Sequence, residues 1–115
     1  MKFKMPKCNI PPNILEKMFL VAYALRDNEH WAVFIYLMEH GDPSSLTEIR
    51  KEFDSTYWEM RPILEDLVVG GLVEQFSIYD DEWMDLDKRY YRGSIAGYRL
   101  YFGLMDAVLP GSKRR

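Results

Sequence analysis

Cysteine is almost absent from this chain: Cys8 stands alone, which excludes an internal disulfide and fits a reducing compartment. Histidine is nearly as scarce. His30, His40 and Cys8 lack the paired spacing that zinc requires, so neither a metal site nor a cofactor is expected. There is no Gly-rich phosphate loop, no nucleophile elbow and no close Cys–His or Ser–His pair, and an enzyme is not expected. No apolar run approaches the ~18–20 residues that span a bilayer. The basic start, with Lys2, Lys4 and Lys7, leads into Asn9, Pro11, Pro12 and Asn13 rather than a signal-peptide core. The expectation is a soluble, cytoplasmic protein. A basic excess is missing too: 15 Lys and Arg stand against 18 Asp and Glu, a formal net charge of −3. Phosphate neutralisation supplies much of the energy of nucleic-acid binding, so this sum counts against such a partner unless charge is concentrated locally.

What the chain has in abundance is aromatic surface. Eight Tyr, six Phe and three Trp make up 15% of 115 residues, more than one small core needs, so some of them can serve an interface. The length suits one domain, and 48% hydrophobic with 29% charged residues is an ordinary globular balance.

Periodicity organises the chain into a basic arm (1–12), one domain (13–110) and a basic tail (111–115) ending in Lys113, Arg114 and Arg115. Asn13 is a plausible N-cap for a first helix over 13–26, where Ile14, Leu15, Met18, Ala22 and Leu25 recur at helical spacing. Phe19, Leu20 and Tyr23 fill its other sides, and a helix apolar nearly all round is covered on more than one side. After Asp27 and Asn28, a second helix carries Trp31, Phe34, Ile35 and Met38 and stops at Gly41 and Pro43. His40 suits the negative end of its dipole. Ser45 with Glu48 forms a capping box for a short third helix bearing Leu46, Ile49 and Phe53. Thr56 with Glu59 can close another, for a fourth helix marked by Tyr57, Met60, Leu64 and Leu67 and ended by Gly70 and Gly71. Pro62 inside it predicts a kink or a late start.

Residues 72–79 partly alternate between apolar and polar, as a strand does, and 88–92 read as its return. Between them lie Asp80, Asp81, Glu82, Asp85 and Asp87, with Trp83 among them. Ser94 caps a last helix with Ile95, Tyr98, Phe102, Met105 and Leu109, and Tyr101, Leu104 and Val108 again widen its apolar side.

Arg61-Pro62-Ile63-Leu64-Glu65-Asp66-Leu67, closed by Gly71-Leu72-Val73-Glu74, resembles the end of the recognition helix and the entry to the wing in PadR-type regulators. Leu46-Thr47-Glu48-Ile49 is closer to the MarR and ArsR pattern, and 88–92 with Ser94 and Gly97 resembles the second wing strand and helix start. Together these segments span roughly residues 44 to 100. The resemblance implies a mainly α fold with a small β-hairpin: a winged helix-turn-helix, wing at about 72–92, framed by extra N- and C-terminal helices that form a dimer interface.

It further implies a homodimeric, sequence-specific DNA-binding transcription regulator, with double-stranded DNA as partner. The residues expected at the DNA are Ser55, Thr56, Trp58 and Arg61 on the fourth helix and Lys88, Arg89 and Arg92 on the returning strand. Each has a plainer reading: Ser55 and Thr56 as caps, Trp58 as packing, Arg61 as a solvated charge, and the basic strand as balance for the acidic run. Glu59, Glu65 and Asp66 would repel phosphate from the same helix. The alternative is a protein-interaction module whose acidic wing and Trp83 meet a protein partner, without DNA binding.

Overall fold

The computed structural model describes residues 9–77 and 89–109. The basic arm as far as Cys8, the acidic run with Trp83, Lys88 and the basic tail lie outside them. Along the described chain come α1 (Pro12–Ala24), α2 (Asn28–His40), β1 (Ser44–Ser45), α3 (Leu46–Glu52), α4 (Tyr57–Val69), β2 (Val73–Ser77), β3 (Arg89–Gly93) and α5 (Ile95–Val108).

Local chemistry sets most of these boundaries. Ser45 Oγ accepts from Glu48 N at 3.1 Å, and Glu48 Oε1 accepts from Ser45 N at 3.1 Å. The same reciprocal pair joins Thr56 and Glu59, at 3.2 and 2.9 Å. Each box satisfies two amides that the first turn leaves without helical partners. Ser94 Oγ accepts from Gly97 N at 2.9 Å and caps α5, and Gly41 ends α2.

Other boundaries differ from the sequence reading. α1 starts at Pro12 with no side-chain cap, so Asn13 is helical; the fixed φ of proline preorganises the first turn. α2 starts at Asn28 because Asp27 Oδ1 accepts from His30 N at 2.9 Å, which makes the apparent interruption a helix start. Pro62 does not delay α4, which begins at Tyr57 and runs through it. Its ring lies on the exposed side, where water can reach the carbonyl group that has lost its helical donor.

The hairpin pairs Val73 with Gly93 through to Ser77 with Arg89, and β1 adds a third antiparallel strand in the order β1-β3-β2. Ser44 and Ser45 carry no strand signal of their own. Pairing opposite Tyr91 and Tyr90 makes them one.

The core is built from α2, α3, α4 and the sheet. α2 buries His30, Val33, Phe34, Leu37 and Met38, and α4 buries Met60, Ile63, Leu64 and Leu67. Leu46, Ile49, Leu72, Val73 and Tyr91 complete it. The α2 stripe therefore runs through His30 and Leu37, while Ile35, expected inside, is exposed. α1 and α5 contribute least: within α1 only Ala24 is buried and within α5 only Gly97. Ile14, Met18, Phe19, Tyr23, Ile95 and Phe102 remain exposed.

A Cβ on Gly97 would overlap the Leu72 carbonyl oxygen, whereas Ser44 Oγ is buried with no hydrogen-bond partner among the described residues. Gly97→Ala should lower stability by about 1–3 kcal/mol, since backbone must move to admit the methyl. Ser44→Ala should be neutral or stabilising, because it removes a hydroxyl whose desolvation nothing offsets. Urea denaturation of both variants checks the contrast.

Candidate nucleic-acid interface

In the α3–turn–α4 unit the turn is bonded back to the end of α3. Phe53 N donates to Ile49 O at 3.3 Å, Asp54 N to Lys51 O at 3.2 Å and Ser55 N to Arg50 O at 2.8 Å. Asp54 takes the left-handed conformation at φ 50°, which Asp tolerates better than most residues. Ser55 Oγ also donates to Arg50 O, at 3.3 Å, so this hydroxyl ties the turn back to α3. Thr56 Oγ1 is the N-cap acceptor of α4, which leaves its O–H free to donate outward.

With Met60, Ile63, Leu64 and Leu67 turned inward, α4 presents Trp58, Pro62, Glu65 and Val69 to solvent. Trp58 is 75% exposed, in edge-on contact with Tyr57 at 5.2 Å, and so is not the packing residue of the plainer reading. Arg61 is half-buried. Its Nε donates to Glu65 Oε1 at 2.9 Å and its guanidinium lies 5.9 Å from the Tyr57 ring centre. Glu65 raises the affinity of Arg61 for its proton, and the pair presents little net charge.

The acids of α4 are not a uniform repulsive band. Glu59 closes the cap, Glu65 pairs with Arg61, and Asp66 turns away toward the α1–α2 corner. There Asp66 Oδ2 accepts from Arg26 Nη2 at 2.9 Å and lies 2.9 Å from His30 Nε2. This cluster escapes a reading for sites. Its one signal is a histidine inside the apolar stripe of α2, three residues after an aspartate.

On β3 the alternation of side chains separates two expected contacts. Tyr91 is buried, and Arg89, on the same side of the strand, lies within electrostatic reach of its hydroxyl group. Burial pushes the Tyr91 phenol up, Arg89 opposes that, and Glu65 and Tyr57 of α4 lie within electrostatic reach. Arg92 takes the opposite side. Its Nε donates to Glu74 Oε2 at 3.0 Å and its guanidinium lies 5.1 Å from the Phe76 ring centre. Thus Arg89 shares the side of the strand that carries the buried Tyr91, Arg92 is held by its cross-strand partner, and Lys88 is outside the described residues. His40 stands in the last turn of α2 with its ring stacked on Tyr36 at 5.2 Å. Among the described residues no three His, Cys, Asp or Glu side chains gather as a metal would need, and no helix is long and apolar enough to cross a membrane.

Four carboxylates are held below their ordinary range. The backbone amides of Ser45, Thr56 and His30 do this for Glu48, Glu59 and Asp27 respectively. Burial pushes Asp66 up, but hydrogen bonds from His30 and Arg26 together override it. A lowered folded-state pKa gives stability that is present above the unfolded value and lost as pH falls through the folded one. The melting temperature should therefore drop below about pH 4, near the ordinary carboxylate range. Glu48→Gln and Glu59→Gln keep the box geometry but lose the charge, and each should flatten that acid limb in thermal melts followed by circular dichroism.

No protein-family model and no curated protein matches the chain. Solved structures do. The homodimeric winged helix-turn-helix DNA-binding domain of Mb0332 from Mycobacterium bovis (fragment 1–100) superposes with a TM-score of 0.67 at 16% identity, over 97% of this chain and 99% of that one. MepR of S. aureus, solved as a complex with DNA, gives 0.60 at 18% identity, over 82% of this chain and 74% of that one. A transcriptional regulator homologue from Pyrococcus horikoshii gives 0.60 at 17% identity, over 84% and 96%. With five helices and a small antiparallel sheet among the described residues, and with this likeness, the chain has the winged helix-turn-helix fold expected from its sequence.

Proposed function

We propose that this protein is a sequence-specific, DNA-binding transcription regulator that works as a homodimer and does not catalyse. The observation that carries the reading is the α3–turn–α4 unit, with the outer side of α4 uncovered beside a β-hairpin. This is the arrangement in which a helix enters the major groove and a hairpin lies along the backbone. That one similar structure was solved with DNA supports it. Thr56, Trp58 and Arg61 are the proposed groove contacts, with Ser55 at the turn and Arg89, Lys88 and Arg92 contributed by the wing.

The dimer is proposed from the apolar surface that α1 and α5 leave open. Between them runs a cleft of about 650 Å³, lined by Ile14, Met18, Val21, Trp31, Leu100 and Leu104. A second copy covering it would place two α4 helices on two half-sites, and the homodimeric state of the Mb0332 domain supports this. A second reading, a protein-interaction module, draws on the 75% exposure of Trp58 on the helix that also exposes Pro62 and Val69, and on the pairing of Arg61 and Arg92 with carboxylates.

Fluorescence anisotropy with a generic duplex at low and high salt tests the regulator reading. Binding should weaken steeply with salt, and Arg61→Ala should reduce it. Glu65→Gln should tighten it, steepening the salt slope by ~1, because Arg61 is released toward phosphate. If wild type shows no salt-sensitive binding, the interaction module is the better reading.

The dimer should bury more than ~1,000 Å² in total. Sedimentation at tens of micromolar, by estimate above a typical obligate-dimer dissociation constant, should show it. Phe19→Asp should yield a folded monomer; a monomeric wild type would remove the dimer.

A further inference from the structure

α4 is fastened to the α1–α2 corner at two places along one side of the helix. At Gly70 the backbones nearly touch: an added Cβ would stand 2.8 Å from Ala24 Cβ and 3.3 Å from the Leu20 carbonyl oxygen. One turn earlier the fastening is ionic. Asp66 Oδ2 accepts from Arg26 Nη2 and faces His30 Nε2, both at 2.9 Å. The other ring nitrogen, Nδ1, is 2.6 Å from Asp27 Oδ1, and His30 is only 4% exposed. Arg26 is held in turn by Tyr23, whose carbonyl oxygen accepts from Nη1 at 2.8 Å and whose ring centre lies 3.9 Å from the guanidinium. The charged groups set against the ring are thus Asp27 from the turn, Asp66 from α4 and Arg26 from the end of α1.

A neutral imidazole carries one N–H and an imidazolium carries two. With a carboxylate oxygen against each nitrogen, only the imidazolium donates to both. A neutral ring would set a bare lone pair against a carboxylate oxygen in a buried place. The row Arg26, Asp66, His30, Asp27 would then pass from alternating charge to one excess negative. Both carboxylates stay ionised while this happens. The His30 amide and ring hold Asp27 low; burial raises Asp66, but its two partners bring it below the ordinary range.

We propose that these four side chains form a proton-dependent tie that sets the tilt of α4 against α1, so that His30 adjusts the grip of the α4 face on DNA. With His30 charged, both fastenings hold. With it neutral, the Asp66 fastening loosens while the Gly70–Ala24 contact and the buried Met60, Ile63, Leu64 and Leu67 still hold the helix, so α4, with Thr56, Trp58 and Arg61, is freer to shift against α1. The output rests on the DNA-binding reading; the tie rests on the geometry alone.

The test uses the whole chain and a labelled generic duplex at constant ionic strength. Between about pH 5.5 and 8, the interval in which histidine changes charge, wild-type affinity should fall about fivefold or more. The chain has a second histidine, His40, so the comparison lies between variants. His40→Gln should keep most of the step, and His30→Gln should lose it. Asp66→Asn should lose it as well, because the one oxygen that meets both Arg26 and the ring no longer carries charge, and this covers the case that His30→Gln does not fold. NMR reads the tie independently of DNA. The His30 ring and the backbone amides of 57–69 should share one titration midpoint in wild type, and those amides should be flat in Asp66→Asn. An equal affinity step in wild type and both tie variants, or α4 amides that ignore His30, overturns the proposal. If no duplex binds at any pH while the amides follow His30, the tie stands and the DNA-binding reading falls.

Discussion

Where α4 ends, the chain reverses within three residues, and the placement of the other elements depends on that reversal. Gly71 N donates to Val68 O at 2.9 Å and Leu72 N to Leu67 O at 3.1 Å, with Gly71 at φ 76°. This is a Schellman closure, and the left-handed residue at its centre favours glycine. Leu72, driven into the core, leads into β2, and its carbonyl oxygen accepts from Ser94 N at 3.1 Å. Ser94 Oγ donates to the Gly71 carbonyl oxygen at 2.6 Å, so the start of α5 is bonded to the end of α4. α5 then presses on Leu72 at Gly97, and α1 presses on Gly70. Helix end, wing entry and both flanking helices share one stretch of backbone.

Much of this was legible because it is local. The boxes at Ser45 and Thr56, the Ser94 cap and the glycine stops each lie within four or five residues, and the structure has them where the pattern put them. What escaped depends on partners remote in sequence. β1 exists only because β3 lies beside it, and the α2 stripe runs through a histidine that two distant or oblique carboxylates make compatible with burial. At the candidate site, the residue types on α4 were legible and their engagements were not. Arg61 and Glu65 are a helical pair at i, i+4, which spacing can suggest, but the Arg92–Glu74 pair follows from hairpin register alone.

Charge sums mislead here for a physical reason. Asp66 counts as a phosphate-repelling acid in the sequence, yet it points to the α1–α2 corner and is met by Arg26 and His30. Arg61 counts as a free cation, yet Glu65 holds it. The field at the outer side of α4 is therefore weaker in both signs than the residue list implies. An exposed ion pair of this kind is worth little to stability, so a stronger competing anion can exchange for Glu65 at small cost.

The shallow burial of α1 has a consequence for motion. A helix whose only buried residue is Ala24 places little of its own surface in the core, so little hydrophobic free energy opposes its detachment. In hydrogen-exchange terms α1, like α5, should be less protected than α2, α3 and α4 and should open while they stay closed. Each opening uncovers Gly70 and frees the Arg26–Asp66 contact. Whatever covers the outer side of α1 thereby also slows the exchange of amides at the end of α4, with no contact to α4 itself.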